Sequence, residues 1–520
     1  MKVEKIEISA KEAEALLGRA KTGAITHGDY EIIKGLIDTH MLLNQAVAEK
    51  SYSIKKLLQM IFGHKTEKTK NISGSTQKKP GRKKKKVKGH GKNSADDYTG
   101  AETVEVPHGT LQHCDPYPAG DIGKLYRQLT PGVIVRIKGT APLLATVYKQ
   151  EKLRCNICEK VFTADLPAEA GNQKYDETAS AMLALLRYGS GLPLNRITKL
   201  QDGFGIPLST STQWDVIEKM ADRIHPVYPA LIRYAAQGDV IHNDDTGMKV
   251  LELIIANPNN NQKKSRTGIF TTGILSITER RKIALFFTGR KHAGENMAQL
   301  LENRHNCLGP PIQMCDALSR NTSDDFKTIL ANCLTHGRRN FVNVAGDFPD
   351  ECLYVLETLG DVYHFDAITA GEGMTPNQRL LFHQANSGPL MRKLRCWFQE
   401  QFDDKKVEPN SSLGKAINYM LNHWKALTLF LRVEKAPLDN NICERALKMA
   451  IMHRKNSLFY KTEHGAYIGD MFMSLIHTCA LSKINPFEYL TALHKHASAV
   501  FKNPQKWLPW NYQENLTSPA

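Results

Sequence analysis

The sequence Val240-Ile241-His242-Asn243-Asp244-Asp245-Thr246 marks the point where the chain changes from helix-like to strand-like composition. Further apolar runs of strand length follow it at 248–256, 268–277 and 283–288. Beyond them the pattern predicts a helix at 294–303, a strand at 312–315 and a helix at 323–333. Consecutive strands that can form hairpins, followed by alternating helix and strand, predict an α/β domain.

Three carboxylates are placed where such a domain exposes side chains. Asp244 ends the first predicted strand, Asp316 follows the strand at 312–315, and Glu444 lies one turn into a helix predicted to begin with Asp439 as its N-cap. Carboxylates brought together repel one another unless divalent cations neutralise them. Two Mg²⁺ or Mn²⁺ ions about 3.5 to 4 Å apart can activate a water or a 3′-hydroxyl for phosphoryl displacement. The sequence therefore predicts an RNase-H-like catalytic domain with Asp244, Asp316 and Glu444 as metal ligands.

Positive charge is concentrated in one stretch of the chain. The formal net charge is +16, and twelve Lys or Arg lie between Gly63 and Lys92 against the single acid Glu67, which gives +11 there. Such a charge predicts a polyanionic partner, of which nucleic acid is the commonest. We interpret residues 64–102 as a disordered basic linker whose DNA contacts include Lys83, Lys84, Lys85 and Lys86. A solvated spacer is the alternative interpretation.

Residues 1–63 have the composition of a helical region. Apolar residues follow a heptad seam, broken at His40 and Lys50, at Ile33, Leu36, Leu43, Val47, Ile54, Leu57 and Ile61. This pattern is typical either of a short coiled coil, which would make a homo-oligomer, or of an amphipathic hairpin packing on its own chain.

Residues 103–168 contain Cys155-Asn156-Ile157-Cys158, in which two thiolates two residues apart can share one Zn²⁺ ion. One such pair is half of a tetrahedral site, and upstream only the adjacent His113 and Cys114 could complete it. The segment is thus interpreted as a zinc-knuckle-like module, either intact or degenerate. Ten cysteines spread over 520 residues do not form the disulfide framework of a small secreted domain.

The remaining regions follow from the change in composition. Residues 169–237 read as helices, with a glycine-bearing turn and a helix start at Ser209 or Thr210, so they suit a helix-turn-helix DNA reader or ordinary helical packing. The catalytic domain is predicted at 238–485, with a helical insertion at about 352–431 and a C-terminal tail at 486–520. The chain lacks apolar runs of the roughly 18 to 20 residues that span a membrane, and its N-terminus has no secretory pattern, so we expect a cytoplasmic protein.

Longer motifs surround the three acids. They are His242-Asn243-Asp244-Asp245-Thr246, Cys333-Leu334-Thr335-His336-Gly337-Arg338-Arg339-Asn340-Phe341, Pro437-Leu438-Asp439-Asn440-Asn441-Ile442-Cys443-Glu444-Arg445 and Arg454-Lys455-Asn456-Ser457-Leu458-Phe459. With these motifs the chain resembles the transposases of the insertion sequence 66 family along nearly its whole length. The resemblance implies that Asp244, Asp316 and Glu444 are the catalytic acids. Phosphate contacts are then expected from nearby basic residues, with a surface ion-pair network as the alternative: His336, Arg338, Arg339, Arg445, Arg454 and Lys455.

The chain departs from the family pattern in three places. Asp245 stands where the family has Glu, Ala317-Leu318 replaces a Gly-Tyr pair after the second aspartate, and Tyr117 and Gly120 occupy the first pair of cysteine positions. The first change leaves the ligand Asp244 intact. The second alters the loop after Asp316, and the third leaves the zinc site incomplete unless His113 and Cys114 replace the missing pair.

The resemblance implies a DNA transposase that binds the terminal inverted repeats of an insertion sequence, cleaves the strand ends and transfers them to target DNA. Small companion proteins of the same element are expected partners, and paired ends call for a homo-oligomer. A catalytically impaired DNA-binding remnant of such an element is the first alternative. A metal-dependent nuclease or Holliday-junction enzyme on the same fold is the second, and it leaves the N-terminal resemblance unexplained.

Overall fold

The computed structural model describes residues 10–23, 26–30, 32–34, 141–154, 161–171, 173–255, 266–278 and 280–516. The chain divides into two compact units, one formed by residues 1–76 with 345–357 and the other by residues 77–344 with 358–520. Three sequence predictions lie outside the described residues: the heptad seam beyond residue 34, the basic linker with Lys83 to Lys86, and the cysteines Cys155 and Cys158.

In the first unit, helix α1 (Ala10–Lys21) is followed by a turn held together by Asp29. The Arg19 guanidinium donates to both Asp29 carboxylate oxygens, at 3.0 Å from Nε and 2.6 Å from Nη2, and Thr26 Oγ1 donates to Oδ2 at 2.8 Å. The Arg19 hydrogen bond, followed by those from Thr26, holds the pKa of Asp29 well below its usual range. The ion pair therefore fixes the end of α1 against the turn that follows it.

In the second unit, a short hairpin and four helices precede the sheet. The hairpin pairs β1 (Lys152–Arg154) with β2 (Val161–Thr163), which flank the segment that contains Cys155 and Cys158. The helices are α2 (Glu177–Ala184), which continues as a π-helical turn (Leu185–Gly189), α3 (Leu194–Gly203), α4 (Thr210–Ile224) and α5 (Val227–Ala235). The predicted helix start is confirmed, because Ser209 is the N-cap of α4 and its Oγ accepts the Thr212 N–H at 3.2 Å.

A mixed five-stranded sheet lies at the centre of this unit, so the predicted α/β class is confirmed. Its strands are β3 (Val240–Gly247), β4 (Phe270–Ile277), β5 (Lys282–Gly289), β6 (Ile312–Cys315) and β7 (Ile329–Asn332). The spatial order is β5-β4-β3-β6-β7. Strands β3, β4 and β5 pair antiparallel, whereas β6 pairs parallel with both β3 and β7. Helix α7 (Ala293–Leu301) lies between β5 and β6 in the chain.

Two elements differ from the sequence prediction. The run 248–256 is wrong as a strand, because Leu251–Ile255 forms the short helix α6 and both sides of β3 are already occupied by β4 and β6. The run 323–333 is wrong as a helix, because Ile329–Asn332 pairs with β6 residue by residue. Thr328 Oγ1 also donates to Gln313 Oε1 on β6 at 2.9 Å. At 329–332, pairing with β6 outweighs the local helical propensity.

Helices dominate the chain after β7, and residues 352–431 are mainly helical, as their composition predicts. The first group is α8 (Leu334–Val344), α9 (Pro349–Gly371), α10 (Pro376–Asp403), α11 (Ser412–Asn422) and α12 (Trp424–Leu427). The second group is α13 (Asn441–Ser457), α14 (Glu463–Leu481), α15 (Pro486–Lys495), α16 (Ala497–Lys502) and α17 (Tyr512–Leu516). Within the described residues, no helix is both long and apolar enough to cross a lipid bilayer.

One apolar core joins the helices before the sheet to the sheet itself and to the last helices of the chain. Residues 486–520, predicted as a tail, contribute the buried side chains of Tyr489, Trp507 and Tyr512 to this core. The Tyr489 hydroxyl donates to the Trp507 carbonyl at 2.8 Å. The described part of this segment is thus packed structure, since three large aromatic side chains would otherwise remain in water.

Helix α14 covers the outer edge of β5 with a row of polar side chains. Three acceptors spaced four residues apart on α14 take the N–H groups of alternate β5 residues: Asp470 from Thr288 at 2.6 Å, Ser474 from Phe286 at 3.0 Å and Thr478 from Ala284 at 3.1 Å. The match arises because four helical residues rise about 6 Å, close to the roughly 6.7 Å spanned by two strand residues. We call these three side chains the edge ladder.

Candidate active site

Strands β3 and β6 bring Asp244 and Asp316 to the same edge of the sheet. The two strands are parallel, and His242 is paired with Met314. Asp244 lies two residues beyond His242 and Asp316 lies two residues beyond Met314, so the two acids occupy neighbouring positions on adjacent strands. The prediction that Asp244 ends its strand is wrong, because β3 continues to Gly247 in pairing with β4.

A buried amide network orients Asp316. The Asn321 side-chain amide donates to Asp316 Oδ1, and the Leu318 N–H donates to the same oxygen at 3.1 Å. Gln313 donates to the Asn321 carbonyl at 2.7 Å and to Asn243 Oδ1 at 3.0 Å, and the Asn243 amide donates to the Asn321 carbonyl at 2.8 Å. The Ala317-Leu318 loop, which departs from the family pattern, therefore still supplies a backbone donor to the second acid.

Asn440 fixes the start of the helix that carries Glu444. Its side chain is buried; Oδ1 lies 3.0 Å from His242 Nδ1, and Nδ2 donates to the Asn243 carbonyl at 3.1 Å. Because Nδ2 is already a donor, Oδ1 must accept, so His242 donates from Nδ1. Burial lowers the pKa of His242 to about 4, which keeps the imidazole neutral. Asn440 thus ties α13 directly to β3, the strand that carries Asp244.

The predicted N-cap of this helix is wrong by one residue. The helix begins at Asn441 with Asn440 at the N-cap position, and Asp439 instead accepts the Asn441 N–H at 3.0 Å and the Asn441 side-chain amide at 2.7 Å. The Asn440 side chain is committed to β3, so the preceding aspartate satisfies the free backbone donor.

A glycine lets α13 approach the sheet closely. Gly273 on β4 is paired with Asp244, and a Cβ atom there would lie 2.8 Å from the Leu447 side chain of α13. The Cys443 thiol donates to the Gly273 carbonyl at 3.3 Å. Since Glu444 follows Cys443, this contact holds the third acid near the strand pair that bears the first.

The electrostatics of Asp244 reflect this convergence. Burial, together with the negative charges of Asp316, Glu444 and Asp245, raises the pKa of Asp244 to about 7, against a hydrogen bond from the Asp245 N–H to Oδ1 at 2.8 Å. A half-buried carboxyl surrounded by other carboxylates fits a divalent cation, which would remove the repulsion. Asp244, Asp316 and Glu444 supply the hard oxygen atoms that such an ion prefers.

Asp245 has a separate structural role. Its carboxylate accepts from Thr272 Oγ1 at 2.6 Å and from the Ala293 N–H at 3.0 Å, and lies 3.2 Å from His292 Nδ1. It therefore fastens the first turn of α7 to the sheet. The shorter aspartate in place of the family's glutamate is fully engaged in these contacts.

His336 and Cys333 lie beside Glu444. His336 Nδ1 is 3.8 Å from Glu444 Oε1, and one potential ligand atom from each of Cys333, His336 and Glu444 lies within 4.8 Å of the others. Both the His336 and the Glu444 atom are buried, and neither makes a hydrogen bond to the described residues. This group of three is hereafter the Cys-His-Glu cluster.

The basic residues predicted to contact phosphates have different surroundings. Arg454 donates to Thr246 Oγ1 at 3.1 Å and to the Gly247 carbonyl, so it braces the end of β3. Arg445 and Lys455 are exposed on α13, and Arg338 and Arg339 are half-buried on α8. Arg454 thus bonds to a hydroxyl and a carbonyl oxygen, and the phosphate contacts expected of these basic residues stay a prediction.

Sequence reasoning missed the amides that hold the acids. Asn440, Asn243, Gln313 and Asn321 are all buried. In the sequence these amides stand out as polar residues inside otherwise apolar runs. A buried polar side chain needs a hydrogen-bonding partner, so each of them indicates a contact with another segment. What those partners are depends on pairing between distant segments, which a single sequence does not contain.

Comparison with known proteins agrees with this geometry. The family model described as "Transposase IS66 family" matches residues 173–468, which is more than half of the chain and includes all three acids. The chain belongs to this family. Membership makes it a DNA-processing enzyme with a transposase role and indicates the use of divalent metal. The resemblance seen in the sequence is thereby confirmed.

Two relatives are similar to this chain over more residues than the family model matches. "Uncharacterized protein y4jD" of Sinorhizobium fredii (strain NBRC 101917 / NGR234) is 26% identical over 402 residues, covering 74% of this chain and 75% of the relative. "Uncharacterized protein y4hP" of the same organism is 22% identical over 388 residues, covering 70% and 67%. The 402 residues aligned with the first relative exceed the span 173–468, so this similarity extends beyond the matched domain.

Proposed function

We propose that the chain is a DDE-type transposase with an RNase-H-like catalytic domain, which cleaves and transfers the ends of an insertion sequence. The strand order β5-β4-β3-β6-β7, antiparallel in its first three strands and parallel in the rest, supports the RNase-H-like assignment. The observation that carries the proposal is that Asp244 and Asp316 follow paired residues of adjacent parallel strands, while Asn440 bonds the start of the helix bearing Glu444 to the strand bearing Asp244.

The three acids would hold two Mg²⁺ ions, or Mn²⁺ in their place. When bound, the ions supply an activated oxygen nucleophile and neutralise the charge that develops on the phosphate. In the first step a water oxygen bonds to phosphorus and the bond to the 3′-oxygen breaks, leaving a 3′-hydroxyl on the element end. In the second step that hydroxyl attacks a target phosphodiester and releases a target 3′-hydroxyl. Asn440 and Asn321 keep the carboxylates oriented through both steps.

The positions of the basic side chains indicate which of them would contact DNA. Arg338, Arg339, Arg445 and Lys455 would bind phosphates flanking the scissile bond, and Lys83 to Lys86 would bind along the backbone of the element ends. We further propose that the enzyme acts as a homo-oligomer, because two ends are joined together, and that companion proteins of the element assist it. Cys155 and Cys158 remain proposed ligands of Zn²⁺.

The test is cleavage of a DNA fragment carrying the element's ends, with Mg²⁺ or Mn²⁺, by the full chain. Isosteric changes Asp244→Asn, Asp316→Asn and Glu444→Gln should each reduce the cleavage rate by about 10³-fold, the equivalent of several kcal/mol of lost charge stabilisation. The affinity for the DNA ends should be unchanged or increased. Glu302→Gln, at an exposed glutamate outside the site, is the matched control and should cleave normally.

Each outcome separates the proposal from its alternative. Cleavage that persists in any of the three variants would remove that residue from the catalytic set. A wild-type chain that binds the ends, and never cuts them with either metal or with the companion proteins present, would indicate a DNA-binding remnant.

A further inference from the structure

Two buried atoms face each other next to the acids without being bonded. His336 Nδ1 and Glu444 Oε1 are 3.8 Å apart, which is too long for a hydrogen bond, and neither has another hydrogen-bonding partner among the described residues. Buried polar atoms without partners are rare in folded proteins, and the binding of an ion is one explanation for such a pair.

The separation of the two atoms suits a shared ion. Nitrogen and oxygen ligands lie about 2.0 to 2.2 Å from a divalent transition metal, so two of them on one ion are roughly 3 to 4 Å apart. The side chains of His336 and Glu444 are 26% and 28% exposed, which leaves a path for an ion to enter.

Both ligands are carried by rigid supports. His336 is in the first turn of α8 and Glu444 in the first turn of α13. The two helix starts are bound to each other, because the Leu334 N–H donates to the Leu438 carbonyl at 3.0 Å and the Asn440 N–H donates to Cys333 Sγ at 3.2 Å. A site built in this way is preorganised by the backbone.

Cys333 has a different function in the Cys-His-Glu cluster. Its sulfur already accepts the Asn440 N–H, and burial raises the pKa of the thiol to about 11, which favours the neutral form. A thiol engaged in this bond joins the two helix starts and is a poor metal ligand, because thiolate is the form that binds metal.

We propose that His336 Nδ1 and Glu444 Oε1 bind the same divalent metal ion, so that the ion held by the third acid has one nitrogen ligand. The proposal rests on the proposed function in that Glu444 is a metal ligand there. It changes the expected partner of His336 from a DNA phosphate to a metal. Imidazole favours Mn²⁺ and later transition metals over Mg²⁺, which prefers oxygen, so His336 sets the metal preference of the site.

The experiment uses Mn²⁺ as the probe with the full, tag-free chain and no DNA. Electron spin-echo envelope modulation detects nitrogen bound to Mn²⁺, and the free-ion signal in a titration gives the affinity. We expect nitrogen coupling in the wild type and in Cys333→Ser, and its loss in both His336→Ala and His336→Gln. Removing the ligand should weaken Mn²⁺ binding by at least about 10-fold and Mg²⁺ binding by less. His305→Ala, at an exposed histidine, is the matched control and should keep the coupling.

The results also separate this proposal from the one on which it rests. Wild-type protein that binds Mn²⁺ without nitrogen coupling, or coupling that survives in His336→Ala, would overturn the shared site and leave the acid triad standing. Cleavage that survives Asp244→Asn would refute the proposed function whatever the Mn²⁺ spectrum shows.

Discussion

Replacing Asn440 with alanine tests whether this one amide holds the catalytic helix against the sheet. The change removes the acceptor for His242 Nδ1–H and the donor to the Asn243 carbonyl, and both abandoned groups are in buried residues. An unsatisfied buried donor or acceptor costs about 1 to 3 kcal/mol, so the loss is about 2 to 6 kcal/mol in the local stability of this contact. Since about 1.36 kcal/mol is a factor of ten, local opening should become roughly 30-fold to 10⁴-fold more frequent.

Amide hydrogen exchange followed by mass spectrometry measures that opening directly. Asn440→Ala should lose protection in β3 and in the first turns of α13, and the edge ladder on α14 should keep its protection. Asn441→Ala is the control, because this neighbour bonds only to Asp439 through its side chain and is partly exposed. Equal protection in the two variants would refute the idea that Asn440 locks the helix. DNA cleavage should fall in the same proportion in each variant as the population of the closed state.

Four further predictions concern other parts of the chain. Gly273→Ala should slow cleavage more than 10-fold at unchanged DNA affinity, because its Cβ would meet the Leu447 side chain at 2.8 Å and overpacking costs about 1 to 3 kcal/mol. Burial raises the pKa of Asp470 from 3.8 to about 7. The protonated carboxyl therefore stabilises the fold at low pH, and this stability is lost as the pH rises from about 4 through 7. In thermal unfolding measured against pH, the Asp470→Asn variant should lack this fall of a few kcal/mol in the free energy of unfolding. Asp245→Ala should lower the unfolding midpoint by several degrees, because the buried Ala293 N–H loses its acceptor, and an unchanged midpoint would contradict that role. Deleting residues 78–88 should reduce the salt dependence of DNA binding, and an unchanged slope would make the segment a spacer.

Local pattern predicted the strands that carry the first two acids, because their apolar runs and polar ends are properties of the segments themselves. The local pattern did not predict β7 or α6. Ile329–Asn332 has no strand signal of its own and becomes a strand by pairing with β6. The composition of Leu251–Ile255, with its β-branched residues, is typical of a strand. The segment forms a helix, and both positions beside β3 are taken by β4 and β6.

The candidate site shows the same division between local and long-range information. The sequence identifies Asp244, Asp316 and Glu444 by their positions at the ends of predicted strands and at the start of a predicted helix, and by family resemblance. The link between His336 and Glu444 could not, because those residues are 108 positions apart and their distance depends on how α8 and α13 start together. The buried amides were overlooked for the same reason, since their bonds join segments such as β3 and the turn before α13.

The edge ladder also has a consequence for the chain while it is being synthesised. Glu463, the first residue of α14, follows Gly289, the last residue of β5, by 174 residues. At about 5 to 20 residues per second the ribosome needs roughly 9 to 35 s to cover that interval. During this time the backbone donors of β5 that α14 later covers are open to any neighbouring strand, and open strand edges promote aggregation. The pace of translation therefore determines how long each nascent chain is exposed, and a polypeptide released before α14 has no means of closing that edge.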